Sequence, residues 1–540
     1  MPPRPDPQTN AGDPEQVRGA DPDQVRAAVA RISAGATGEP GVDVLETHIS
    51  YVFLTPERAY KLKKPLVLPF LDYGTPQRRR KLCSEEVRLN RRLAGDLYTG
   101  VRALIPRPDG LELADEDHPD AIDYLVEMRR YDDRDTVAAV LDRGKLTGGQ
   151  IRELARELAG FHARCPPGAD GLRHDAQGVG REVQRNVEEL LGVAASRAQR
   201  RRIRALAMTM SAFVGAHEET LDARCADRRT RECHGDLRSE HVVLGPPIRV
   251  VDCVEFDLGL RTLDVADDLA FLVMDLTRLG GESYAGELVA AYRQAGGDCG
   301  DDALLAFFAV HRALVRAKVM LVWTGQQAPE SPAHVRASAE ARDLLALAER
   351  FAWRTRMPMT IVVCGVPASG KSHLVGALAA ASGLHWFSSD RVRKDLAGIG
   401  SRQRGSPQHY GDEFNRATYA ELGRLAASEI AGHGGTIIDA TFRHRADRDA
   451  FRASFARAAP LLFVQCVCPV SVLARRAVTR QGDPASISDA SLEVVMSERD
   501  RFDPLDEVPG ADHVLLRSDL GSERMLAQLS AMLDLRGAPT

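Results

Sequence analysis

Apolar residues along this chain fall into two kinds of rhythm. Over 42–71 (VDVLETHISYVFLTPERAYKLKKPLVLPFL) they crowd together with β-branched and aromatic residues. That pattern predicts three short strands, with turns at 55–57 and 64–65. A charged stretch over 76–93 has helical spacing, and runs at 101–105, 111–114 and 124–130 predict more strands. From 136 to 353 helical spacing dominates, with a break at 233–254. Inside the break, apolar runs at 242–244 and 248–251 flank Gly245-Pro246-Pro247 and predict a hairpin-like pair. Beyond 359 strand patterns at 361–364, 385–388, 436–439, 461–467 and 513–517 alternate with helical ones at 371–381, 413–431 and 446–458. Strands separated by helices join by crossovers, so this alternation predicts a parallel sheet with helices on both faces.

These rhythms predict two domains. A tail over 1–20, rich in Pro, Asp, Gly and Gln, is expected to be disordered, and a short helix follows it. The first domain is expected over 21–353, with a β-rich small lobe to about 130 and a helical large lobe over about 131–353. That is the α+β bilobal layout of a protein-kinase-like fold. A linker over 354–358 leads to an α/β P-loop domain over 359–540.

Composition narrows the function classes. A length of 540 residues exceeds one domain, and 44% hydrophobic with 27% charged residues is ordinary for a soluble globular chain. The net charge of −5 offers no basic field for nucleic acid. No long apolar run and no signal-peptide pattern occurs, so neither membrane spanning nor secretion is expected. Nine cysteines without a Cys-x-x-Cys pair point to a reducing, cytoplasmic setting. Cys466 and Cys468 read as buried strand thiols. The expected partners are small-molecule acceptors, and the sequence fixes no oligomeric state. Arginine carries nearly all the positive charge, so each retained lysine hints at a need for a compact ammonium.

The strongest chemical signal is TIVVCGVPASGKSHLVGAL, a strand pattern, a glycine-rich loop and a helix pattern. Gly365, Val366, Pro367, Ala368, Ser369, Gly370, Lys371 and Ser372 form a phosphate-cradling loop whose N–H groups and helix N-terminus face an anion. Lys371 reaches the β- and γ-phosphates of ATP, and the Ser372 hydroxyl suits Mg2+. In a parallel sheet ligands sit at the carboxyl ends of the strands. Asp390, Asp439 and the segment after Cys468 fall there. Asp390 is a candidate base for an acceptor hydroxyl, and Arg393 a candidate anchor for an anionic acceptor. Asp439 ends an apolar strand, where a carboxylate orients Mg2+. Arg475, Arg476 and Arg480 precede a Gly-Asp-Pro loop and are candidate lid arginines over the transferring phosphoryl group.

The second chemical stretch is CHGDLRSEHVVLGPPIRVVDCVEFD, residues 233–257. A hairpin over it brings His241 beside Asp252, with Asp236 on the loop before. Phosphoryl transfer needs one carboxylate to take the acceptor's proton and another to hold Mg2+. In the small lobe, Lys61 and Lys63 share one strand face, and either is placed to touch the α- and β-phosphates.

The motif His234-Gly235-Asp236-Leu237 resembles the catalytic loop of aminoglycoside phosphotransferase-like kinases. The resemblance implies that Asp236 is the base and Asp252 the metal carboxylate, and that Glu86, or its neighbour Glu85, pairs with the nucleotide lysine. The family places Asn five residues after the base as a second metal ligand; this chain has His241. No glycine-rich loop precedes the lysine strand, and Thr47-His48-Ile49-Ser50 stands in its place. An acidic helix start after the metal Asp, here Asp264 and Asp268, is expected to hydrogen-bond the catalytic loop. The second half resembles small P-loop kinases related to gluconate kinase, zeta toxins and polynucleotide 5′-kinases. The fusion is similar to bifunctional aminoglycoside phosphotransferase/ATP-binding proteins over about 42–535, through THISYVFL, AYKLKKP, HGDLRSEH, DCVEF and DATF. The function implied is ATP- and Mg2+-dependent phosphoryl transfer to hydroxyls at two sites. The rival is one P-loop kinase with a nucleotide-binding or pseudokinase companion. A nucleic-acid 5′-end kinase, suggested by arginines around Asp390 and 443–448, fits the charge balance less well.

Overall fold

A computed structural model describes residues 19–33, 42–47, 49–68, 71–168, 172, 174–400, 403, 406–455, 460–481 and 492–536. The tail over 1–18, His48, the Gly482-Asp483-Pro484 loop and the Arg480 side chain lie outside the described residues. By packing the chain forms two compact units, Met1–Asp175 with Asp222–Cys299 and Ala176–Leu221 with Gly300–Thr540. The helices over 176–221 and 300–353, which sequence order assigns to the first domain, therefore pack within the unit that holds the P-loop sheet.

The first unit contains a six-stranded antiparallel sheet in the spatial order Asp43–Glu46, Ser50–Leu54, Arg58–Lys63, Asp123–Arg129, Tyr98–Arg107 and Gly110–Asp115. The expected first strand is split in two because Thr47 closes a turn. Its N–H donates to Ser50 O at 2.9 Å, and its Oγ1 bonds both the Ser50 N–H and the Ser50 carbonyl. The expected third strand shrinks to the two-residue pair Val67–Leu68 and Leu71–Asp72. Helix Pro76–Ala94 starts sharply because Thr75 caps the Arg78 N–H and proline sits in its first turn. Cys83, Val87, Tyr98, Tyr124 and Val126 pack into one core beneath it. The hairpin after His241 forms as expected, Val242–Val243 antiparallel to Arg249–Val250.

The second unit carries a five-stranded parallel sheet in the order Trp386–Ser388, Gly435–Asp439, Met359–Cys364, Leu461–Val467 and His513–Arg517. Its two faces follow from strand alternation. Ile361 and Val363 join Leu374, Leu378, Ile437 and Leu529 on one face. Val362 and Cys364 join Tyr419, Leu422, Ile438 and Phe451 on the other. The expected strands and helices are present within a few residues of their predicted ends, save the predicted helix end at 458, which lies outside the described residues. Among the described residues no helix is long and apolar enough to cross a membrane.

Candidate active sites

Each unit holds a cluster of charged groups at a place where its strands end. In the first unit Lys61 and Lys63, two residues apart on one strand, both turn toward helix Pro76–Ala94. Lys61 Nζ lies 2.9 Å from Glu86 Oε1, and Lys63 Nζ lies 2.6 Å from Glu86 Oε2. Glu86 is fully buried. Glu85, one residue back, faces elsewhere, bonding Arg88 and Arg261 at 2.7 Å. The geometry separates the two lysines. Lys61 also reaches Asp252 Oδ1 at 2.7 Å. Lys63 is closed in by Glu86, Glu255 and the Tyr73 hydroxyl, and only 1% of it is exposed. As placed, Lys63 is a buried structural cation, and Lys61 is the one joined to Asp252. Burial opposes charge on Lys61, but the Asp252, Glu86 and Glu255 carboxylates outweigh it and hold its pKa well above the ordinary value.

Asp252 follows strand Arg249–Val250 with a left-handed backbone, φ 62°, a conformation Asp tolerates better than most residues. Its N–H donates to the Tyr98 hydroxyl at 3.3 Å. Partial desolvation would raise its pKa, but the Lys61 ammonium beside it holds it far below the usual carboxylate range. His241 Nε2 lies 3.9 Å from Asp252 Oδ2. Asp236, His241 and Asp252 thus converge, as the hairpin predicts.

The loop between them is pinned from below. Gly235 has φ 83°, and a Cβ there would meet Leu260 O at 2.8 Å, so only glycine fits. On helix Val265–Arg278, Asp268 accepts from His234 N at 3.1 Å, Gly235 N at 2.8 Å and His162 Nε2 at 3.1 Å. Two turns later Asp275 accepts from Ser239 N at 3.0 Å and also from its hydroxyl. Asp264 is different: it caps Ala266 N and takes a bidentate pair from Arg224 at 2.8 Å. Of the two expected loop anchors, only Asp268 bonds the loop. The seven-residue spacing of Asp268 and Asp275 on one helix face is the signal that reveals the second anchor.

Burial pushes the His234 imidazole down to about 4 from 6.5, and its Nε2–H donates to Val251 O at 2.9 Å. A group that binds a proton more weakly when folded loses stability as the solution acidifies. The unfolded chain takes up the proton first, so stability is full above pH 6.5 and is lost as pH falls toward 4. The expected loss is about 3 kcal/mol. Hydrogen–deuterium exchange across 233–254 should therefore accelerate over that window; flat exchange across it would contradict the buried neutral imidazole.

In the second unit the loop Gly365–Ser372 adopts the strained conformations its glycines allow. Gly365 has φ 134°, and a Cβ there would meet Cys466 O at 2.7 Å; Gly370 has φ 96°. Helix Lys371–Ser382 begins at Gly370 with no side chain capping its first N–H groups, which leaves them directed at an anion. Ser372 Oγ donates to Asp439 Oδ2 at 2.9 Å. Residues 67 positions apart thus meet beyond the carboxyl ends of adjacent parallel strands, a hydroxyl against a carboxylate. Lys371 Nζ donates back to Val366 O at 3.0 Å.

Asp390 lies in the first turn of helix Ser389–Leu396, half exposed, 3.7 Å from Arg393 Nη1. Arg393 is buried, donates to Asn415 Oδ1 at 2.8 Å and lies 5.0 Å from the centre of the Tyr410 ring. Among the expected lid arginines, Arg476 bonds Ser518 Oγ at 3.1 Å and Ser518 O at 2.7 Å, and its Nη1 lies 3.1 Å from where a Gly370 Cβ would be. Arg475 is on the exposed side of the same helix. Arg448 is fully buried, holding Glu507 and the Phe442 and Pro504 carbonyls, so it contributes no surface for a nucleic-acid strand.

Comparison with known proteins identifies both domains. Residues 51–308 match the family model described as "Phosphotransferase enzyme family", and residues 360–505 match one described as "AAA domain". The protein is thus a phosphotransferase built from two kinase-type domains. It is 32% identical over 466 residues to "Uncharacterized protein Rv2004c" of Mycobacterium tuberculosis, covering 85% of this chain and 89% of that one. A counterpart in Mycobacterium bovis, "Uncharacterized protein Mb2027c", matches to the same extent. The chain belongs to the family of these mycobacterial proteins, with an aminoglycoside phosphotransferase-like domain fused to a P-loop kinase domain. Among solved structures, a choline/ethanolamine kinase family protein from Mesorhizobium loti is 14% identical, covering 60% of this chain and 98% of that one, TM-score 0.35. A gluconokinase from Sinorhizobium meliloti is 26% identical, covering 34% and 95%, TM-score 0.24. Neither likeness bears on substrate.

Proposed function

We propose that both domains transfer the γ-phosphoryl group of ATP to hydroxyls of small molecules, each through its own Mg2+-dependent site. The observation that carries this is the matching architecture of the two clusters. In the first, one ammonium, Lys61, is bonded at once to Glu86 and to Asp252. In the second, the Ser372 hydroxyl of the phosphate loop is bonded to Asp439. On this reading each cluster pairs a metal-competent carboxylate with a phosphate-binding element. Asp252 would hold Mg2+ in the first domain, and Ser372 with Asp439 in the second, and the metal's charge would offset that of the β- and γ-phosphates. Lys61 and Lys371 orient those phosphates. Asp236 and Asp390 take the acceptor proton, and Arg393 holds an anionic group of the second acceptor. Arg476, against the phosphate loop, is the lid arginine best placed over the reacting phosphoryl. A cytoplasmic location with small-molecule partners fits these roles.

The test is a metabolite extract incubated with labelled ATP and wild-type, Asp236→Ala, Lys371→Ala or Asp390→Asn protein. Products missing with Asp236→Ala but present with Lys371→Ala belong to the first domain. Asp390→Asn should keep nucleotide affinity while cutting P-loop-domain turnover roughly 10²–10⁴-fold. An equal fall in nucleotide affinity would remove Asp390 from the role of base. Products unaffected by Asp236→Ala would favour the rival reading, a catalytic P-loop kinase with a nucleotide-binding companion.

A further inference from the structure

Kinase sites of this kind hold two Mg2+ ions, one at the carboxylate of the following strand and one at an amide oxygen on the catalytic loop. In this chain the loop position is His241, and its ring is fully engaged. Nδ1 lies 2.9 Å from the Asp236 main-chain oxygen, which only accepts, so Nδ1 carries the proton. Nε2 lies 3.0 Å from Arg238 Nη2, which only donates, so the Nε2 lone pair is already used. Imidazole nitrogen is in any case a poor partner for hard Mg2+. A second metal does not fit this donor set.

The group that takes up the imidazole lone pair is itself a cation. Arg238 Nε and Nη2 clamp the two Asp236 oxygens at 2.8 and 2.9 Å, and Nη1 pairs with Glu240. The side chain is only 11% exposed. Its guanidinium is fixed by groups on its own loop, and one of them, His241, reaches to within 3.9 Å of the metal carboxylate Asp252. Arginine stays charged under all ordinary conditions and presents planar donors suited to phosphoryl oxygens.

We infer that the first domain takes one Mg2+ per nucleotide, at Asp252, and that the Arg238 guanidinium stands in the position of the second ion. This rests on the reading of the first domain as a nucleotide site. The fixed cation also holds both Asp236 oxygens, which makes Arg238 a positioning residue for the base.

The test counts metal against nucleotide. Full-length Lys371→Ala/Ser372→Ala protein, with the phosphate loop disabled, is dialysed to equilibrium against Mn2+ and a non-hydrolysable ATP analogue, and both retained species are measured. The expected result is one Mn2+ per nucleotide. Adding Arg238→Ala and His241→Asn should raise it to two. Two Mn2+ per nucleotide with Arg238 and His241 intact overturns the inference while leaving the two-site reading standing. A ratio that stays at one after both substitutions also overturns it, because removing the cation should open the position. Retention of no nucleotide removes this inference and the two-site reading together. Should the quadruple variant fail to fold, the ratio measured with Arg238 and His241 present decides alone.

Discussion

Calorimetric titration of the wild-type chain with a non-hydrolysable ATP analogue in excess Mg2+ should give two sites per chain, and single substitutions should remove them one at a time. Lys371→Ala is expected to abolish the P-loop site. Its ammonium sits at the mouth of the phosphate loop, bonded to Val366 O at 3.0 Å, ready to exchange that carbonyl for phosphate oxygens. Without it, the loop N–H groups alone face several negative charges. Asp252→Ala is expected to abolish the other site, for two reasons. It removes the carboxylate that would hold the metal, and it takes from Lys61 one of its two anionic partners. The two sites use different residues in separate packing units, so their losses should add without coupling. A wild-type stoichiometry of one, abolished by Lys371→Ala and untouched by Asp252→Ala, would show a first domain with the shape of a kinase and no nucleotide.

Asp268→Ala should be the most damaging substitution outside the reacting groups. Three donors converge on this buried carboxylate, two of them main-chain N–H groups of the catalytic loop. Burial works against its charge, but the hydrogen bond from His162 and the neighbouring catalytic-loop donors hold its pKa down to about 2, from 3.8. The folded carboxylate binds its proton more weakly than the unfolded one. Its stabilisation is therefore complete above about pH 4 and is lost as pH falls through 2. Removing one partner from a buried charged network costs roughly 3–5 kcal/mol. Hydrogen exchange over 233–241 should rise steeply in Asp268→Ala, and first-domain products should vanish, while P-loop-domain products persist. Asp264→Ala is the control. It breaks the Arg224 pair and a helix cap, yet none of its bonds described above goes to the loop, so exchange over 233–241 should change far less. Equal exchange in the two variants would mean that Asp268 does not hold the loop.

Both predictions depend on residues the sequence marks with very different clarity. The phosphate loop is local: Gly365 through Ser372 are consecutive, and their function follows from backbone conformations that the glycines permit. Asp439 is legible for a related reason, since an apolar run ending in a carboxylate marks the carboxyl end of a buried strand. The catalytic loop is legible as HGDLRSEH followed by a β-pair and Asp252. Alternation of strands and helices beyond residue 359 was enough to give the parallel sheet, because parallel strands demand crossovers.

Tertiary structure decided what local pattern leaves degenerate. Lys61 and Lys63 share a strand face, and Glu85 and Glu86 are neighbours on a helix. Only the placement of Asp252 and Glu255 from the other end of the unit assigns Lys61 to Asp252 and Lys63 to a buried cluster. Of Arg475 and Arg476, adjacent in sequence, the helix rotation sends one to solvent and one to Ser518 beside the phosphate loop. Arg448 reads as a surface cation and is buried, because main-chain carbonyls from two loops and Glu507 converge on it. The bidentate hold of Arg238 on Asp236 lies wholly within one motif, yet spacing alone does not show it, since a two-residue separation in a loop fixes no side-chain direction. Periodicity records which face of an element is buried; which charge meets which depends on packing between elements far apart in sequence. The sequence therefore determined the two folds and the residue types of their sites, and the tertiary structure chose the partners.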